Sequence, residues 1–393
     1  MFFPRTTLAL FLLAPAFAID KTPLRETLIT HEWGTLTSVA GEDGRAVRWS
    51  ALLGPADLPC FVDRLSDWNP KTLAGLVRME TPVLYFYAPR PVTLSVGVKF
   101  PQGWITEWYP RASSVKPKSA SVPQPRGGAI ADRLRVYGNG QIRWDAVDVL
   151  PGPDLEYPQG KGDSPYYAAR HTDSAPLRIG EQYEKLIFYR GIGDFEVPLR
   201  PSFTSGGALE IRNAGAEIIP LAILFENRDG RIGYRKVRGL KDTVKIETPE
   251  LTANLADLQR ELAHYLVEFG LYRPEAQAML ETWSDSWFEE GMRVIYILPR
   301  PVVDSLLPLE IVPAPSSVAR VFVGRIEVLS PWMRRRIETA AAEGDVAALQ
   351  KFGRFLTPFA AQIQRATSLP SLPIEEATGR LLRRQFDGPA CVQ

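Results

Sequence analysis

The apolar pattern of this chain changes period once, near Thr248-Pro249-Glu250, and that change limits the folds open to it. Before it, residues 30–39, 77–88, 92–100 and 104–109 are short runs rich in Val, Thr, Tyr, Phe and Trp, bounded by Pro and Gly. Such runs read as strands. Two hairpins are expected: 134–137 with 142–147 around Gly138-Asn139-Gly140, and 218–226 with 232–237 around Asn227-Arg228-Asp229-Gly230. After the change, Leu251, Leu255, Leu258, Leu262, Leu266 and Phe269 recur at helical spacing, with Thr248 as N-cap and Gly270 past the end. A second helix is expected over 274–290, then strands at 293–298 and 319–329. Ser330-Pro331 and Asp345 open further helices. The fold class is therefore mainly β with an α+β continuation. An antiparallel β-sandwich over 25–247, with long loops at 110–128 and 151–176, precedes a helix–strand segment at 248–329 and a short helical region at 330–393.

Residues 1–18, MFFPRTTLALFLLAPAFA, carry one cation before a short apolar run and end in Ala-Phe-Ala. That is the pattern of a signal peptide, so an exported protein, periplasmic or secreted, is expected. Removing it takes Lys+Arg from 46 to 45 against 45 Asp+Glu, a net charge of zero. The basic excess of a nucleic-acid binder is missing. No later stretch reads as a membrane span, so the processed chain reads as soluble. The two cysteines, Cys60 and Cys391, either pair in an oxidising compartment or leave a buried Cys60 and a thiol on the tail.

Candidate chemistry is scattered. His31 and Glu32 are neighbours on a strand, so they face opposite ways unless a bulge intervenes, and His31 shares its face with Trp33. With Glu80 they are candidates for acid–base or divalent-metal chemistry, against the ordinary reading of a buried, hydrogen-bonded histidine. Trp283-x-Asp285-x-Trp287-x-Glu289 would stack its two indoles and its two carboxylates on one helix face. That pair is either a site or a surface acidic patch. The loop end Tyr166-Tyr167-Ala168-Ala169-Arg170-His171-Thr172-Asp173 is the expected ligand-contacting edge, and the rings of Trp33, Trp104, Trp144, Trp283 and Trp287 are either platforms for sugar rings or core material. Glu261-x-x-His264 lacks the second such pair a di-iron bundle needs. Arg190-Gly191-Ile192-Gly193 lacks the third glycine of a nucleotide fingerprint. The cofactor is therefore left open.

The segments Thr30-His31-Glu32-Trp33-Gly34-Thr35, 79–87 (METPVLYFY) and 285–291 (DSWFEEG) together resemble an uncharacterised family of exported bacterial proteins. The likeness spans roughly residues 29–330. It implies export and carries no catalytic residue with it. The leading expectation is a binding or structural module for a glycan or another envelope component. The alternative is an extracytoplasmic acid–base or metal-assisted hydrolase.

Overall fold

The computed structural model describes residues 27–51, 57–65, 73–117, 134–135 and 138–384. The signal-like segment 1–18 and Cys391 lie outside them.

The protein is mainly β. Among the described residues its main sheet has ten strands, in the order Arg231–Leu240, Ile219–Arg228, Gly291–Ile297, Ser317–Val328, Ile29–Val39, Val77–Met79, Ile187–Gly193, Gly103–Tyr109 and Asp63–Arg64, with Val83–Tyr87 beside Ile29–Val39 and Ile187–Gly193. A six-stranded sheet, built around Val92–Phe100 and Gly140–Val149, packs on it. Phe100 of this sheet comes close to where Gly191 and Gly193 of the main sheet would carry a side chain. Leu94, Val96, Trp144, Leu84, Phe86 and Phe322 belong to the same core. Helices Leu255–Glu268 and Arg273–Thr282 cover the other face. They set Leu258, Leu262 and Met279 among Trp33, Ile223 and Val321. Strand Ile29–Val39 is thus enclosed on both faces and is buried from Thr30 onward.

The pattern of period 2 and then 3.6 predicts strands first and helices after them, but not how they layer or connect. Ile29–Val39 pairs in parallel with Ser317–Val328 along its whole length. The main sheet therefore departs from the expected all-antiparallel sandwich and takes strands from both sides of residue 248. The segments 25–247 and 248–329 share it. The hairpin expected at 134–147 does not form among the described residues. Gly140–Val149 pairs with Val92–Phe100, and Leu134–Arg135 runs parallel to Leu73–Ala74. The second expected hairpin does form. Its turn is Asp229-Gly230, both at positive φ, which suits the right-handed twist of the strands.

The first long helix starts later than its apolar spacing suggests. Asn254 is the N-cap, its Oδ1 accepting from the Ala256 amide at 2.8 Å. Residues 248–253 instead run against strand Arg231–Leu240, where Ala253 bridges to Ile232 and the Glu250 carbonyl crowds Gly233. The second helix ends at Thr282, and a single turn, Ser284–Trp287, follows. Ser330 and Asp345 cap their helices as expected.

Gly324 shows how tightly the main sheet is filled. A Cβ there would lie 2.1 Å from the Tyr296 ring. Gly324→Ala is expected to cost about 1–3 kcal/mol through overpacking. Urea unfolding at neutral pH checks it, and an unchanged midpoint would show that Tyr296 has room to move.

Candidate functional site

Alternation along Ile29–Val39 sends His31, Trp33, Thr35 and Thr37 to the helix-covered face and Glu32 to the other. The two lead candidates therefore do not meet. His31 Nδ1 lies 2.8 Å from Glu275 Oε2, and its ring stacks on Tyr272 at 4.2 Å. Glu275 also accepts from the Tyr87 hydroxyl at 2.6 Å and from the Tyr272 amide at 2.6 Å. The histidine thereby fastens the start of helix Arg273–Thr282 to the sheet. On the opposite face Glu32 accepts from the Tyr189 hydroxyl and from Arg320 Nε at 2.5 Å, and Arg320 reaches on to Asp304 at 2.8 Å.

The loop end also serves the fold. Tyr166 and Arg170 are buried. Arg170 grips Glu184 through Nε at 2.9 Å and Nη2 at 2.6 Å, and the Tyr166 hydroxyl donates to the same carboxylate at 3.0 Å. The guanidinium lies within 6 Å of the rings of Phe61, Tyr157, Tyr166 and Tyr167. The Tyr167 hydroxyl accepts from the Gly160 amide at 2.7 Å. His171 is exposed and pairs with Glu281 at 3.0 Å, and Asp173 is exposed. Only His171 and Asp173 of this group stand at the surface.

The carboxylate pair of the Trp-rich segment does not form. Its helix breaks at Trp283, and Glu289 lies beyond the short turn. Asp285 accepts only from the neighbouring Ser284 hydroxyl, at 3.1 Å, among the hydrogen bonds described for it. Glu289 accepts from Arg325 at 2.5 Å. The indoles of Trp283 and Trp287 do stack, 6.4 Å apart, but both are buried, as are Trp33, Trp104 and Trp144. These rings are core material rather than exposed platforms. Cys60 is disulfide-bonded.

Glu80 leads to a different place. Across strand Ile29–Val39, Leu36 pairs with Met79 but Trp33 pairs with Val83, so one extra residue is bulged out at 80–82. The next strand meets a second bulge. Arg190 pairs with Glu107 and Gly191 with Ile105, leaving Thr106 over. Adjacent bulges re-aim side chains that regular pleating would keep apart. Here they gather Arg78, Glu80, Glu107 and Arg190, joined by Asp57 and Arg354 from outside these strands.

Arg190 donates to Asp57 through Nη1 at 2.9 Å and Nη2 at 2.6 Å, and its Nε donates to the Glu80 carbonyl. Arg354 donates to the Glu80 carboxylate at 2.6 Å. Arg78 Nη2 reaches Glu107 at 3.5 Å, and its Nε stands 3.7 Å from Glu80 Oε2. Burial pushes the Asp57 carboxyl up, but Arg190 outweighs it and brings the pKa down to about 2. Burial likewise raises Glu80, but Arg354 and Arg78 outweigh it and hold the carboxyl below the usual range. Both acids are therefore ionised at neutral pH. A general acid or base works best with a pKa near the operating pH. This cluster is charged and fixed, suited to holding polar groups rather than exchanging protons.

Sequence reading found Glu80 and missed its partners. The available signal was arginine inside apolar strand runs: Arg78 and Arg190 break otherwise hydrophobic segments. Among the described residues no group of three His, Cys, Asp or Glu is placed to hold a metal ion. No helix among them is long and apolar enough to cross a membrane.

No family model and no curated protein matches the chain. Solved structures similar to it include the yeast delta-COP-I mu-homology domain, at 8% identity and a TM-score of 0.29, covering 78% of this chain and 100% of that one. The same domain complexed with a Dsl1 WxWxV peptide matches at 8% identity and a TM-score of 0.27, covering 77% and 98%. At these scores neither likeness bears on function.

Proposed function

We propose that the protein is exported and acts as a water-soluble binding or structural module, with a glycan or another cell-envelope component as its partner. One observation carries the choice of a module over a hydrolase. The acids at the bulged centre are locked in ion pairs that keep them ionised, and His31 and Glu32 are spent on opposite faces of the sheet. Export rests on the signal-like segment 1–18 and on the resemblance of the 30–35, 79–87 and 285–291 segments to exported bacterial proteins.

Two measurements test this reading. Expressed in a Gram-negative host with its native N-terminus, the protein is expected outside the cytoplasm with residues 1–18 removed, as intact mass will show. Incubated with washed envelope sacculi, it is expected to co-sediment. Intact leader on cytosolic protein, or no retention on any envelope fraction, would sink the proposal.

A further inference from the structure

Arg78 is 5% exposed, yet its Nε and Nη1 have no hydrogen-bond partner. Other buried side chains share that condition, among them the Thr35, Thr37 and Thr81 Oγ1 hydroxyls. Their positions follow from the register. Thr37 is the cross-strand partner of Arg78, and the Thr35 carbonyl accepts the Glu80 amide. Thr81 is part of the bulge. Buried polar groups are nearly always satisfied, and these five unpartnered atoms belong to residues that register and sequence tie to one bulge, which points to a guest there.

The chemistry of the guest follows from what surrounds it. Arg78, Arg190 and Arg354 are balanced by Asp57, Glu80 and Glu107. An anion would add charge beside three carboxylates, and a cation would add it beside three guanidiniums. Either would bury an uncompensated charge. The Arg78 Nε to Glu80 gap, at 3.7 Å, joins a donor to an acceptor without a hydrogen bond between them. A group that accepts from the first and donates to the second is a hydroxyl. Access lies on the side of Asp57, Arg354 and Glu107, whose side chains are 37%, 19% and 17% exposed.

We infer that the bulged cluster is a binding site for a neutral polyhydroxylated ligand, a sugar or polyol, one of whose hydroxyls bridges Arg78 and Glu80 while others meet Thr35, Thr37 and Thr81. This deepens the proposed module and rests on it.

The test is calorimetric titration of the full chain with glucose, N-acetylglucosamine, chitobiose and glycerol, and separately with phosphate and acetate. At least one hydroxylated probe is expected to bind, and the two anions are not. Thr37→Val removes a hydroxyl that has no partner in the unliganded protein, so its melting temperature should not fall, while affinity should drop about fivefold to tenfold for one lost hydrogen bond. Arg78→Gln should weaken binding further. Phosphate or acetate binding that Arg78→Gln abolishes would overturn the inference in favour of an anion site. No binding by any probe, with Thr37→Val fully stable, would overturn it in favour of buried water. Sacculus retention separates the two proposals. Thr37→Val protein that binds sugar weakly but sediments with envelope as before would place the envelope contact elsewhere and sink this site's role in it. Parent protein that binds sugar but is not retained sinks the envelope partner alone.

Discussion

Glu327→Gln is expected to destabilise the protein by about 3–5 kcal/mol, the cost of breaking a buried ion pair from one side. Glu327 is 1% exposed and sits between Arg293 and Arg325, both fully buried. It accepts from Arg293 Nε at 2.7 Å and from Arg325 Nε at 2.6 Å. Burial alone would raise its pKa, but the two arginines outweigh it and hold the carboxyl below the ordinary range. Neutralising it leaves two guanidiniums facing one another in the core. Arg325 keeps Glu289, and Arg293 keeps the carbonyls of Trp287 and Glu289, so the loss falls on the centre of the triad. Guanidinium chloride unfolding at pH 7 checks this. A change below about 1 kcal/mol, the range of exposed pairs, would mean that water reaches the triad.

Arg170→Met is expected to cost a similar amount, about 3–5 kcal/mol at pH 7, because Glu184 would be left as a lone buried anion. This separates the two readings of the loop. A ligand-contacting arginine is lost with little change in stability, whereas a structural one takes the fold with it. The pH dependence carries a second signature. Burial already raises the Glu184 pKa against the pull of Arg170. Without Arg170 the folded-state pKa rises further above the unfolded value. The native state then binds a proton that the unfolded state does not, and stability falls as pH rises through that interval. The variant should therefore regain part of its loss between pH 7 and pH 5. Urea midpoints at the two pH values decide it, and a variant that weakens on acidification would refute the role given to Glu184.

Much of the fold was legible because period and punctuation are local. Val92–Phe100 has the bounds its alternation gives, and Ser330 and Asp345 cap helices whose first turns follow directly. What was not legible depends on distant partners. Residues 248–250 carry every local mark of a helix start, yet the edge strand at Ile232 claims the backbone first. Asp285 and Glu289 stand four apart in sequence but do not share a helix, because the chain breaks at Trp283 to seat both indoles in the core. The bulge at Glu80-Thr81-Pro82 lies inside an apolar run that reads as one strand. Only its register against two neighbours shows the extra residue. The same holds for the candidate site. Glu80 was visible alone, while Asp57, Arg78, Arg190 and Arg354 come from four separate stretches of sequence.

The side-by-side alignment of Ile29–Val39 with Ser317–Val328 has a consequence for how the molecule is made. A chain emerging from the ribosome can pair Ile29–Val39 early on one edge, with Val77–Met79 and Val83–Tyr87, but its parallel partner on the other edge, Ser317–Val328, is made only much later. Closing so long a loop carries an entropic cost that the parallel pairing itself must meet. The 317–328 side of the central strand thus stays unpaired until most of the chain has been made, so the sheet can close into one piece only late in synthesis.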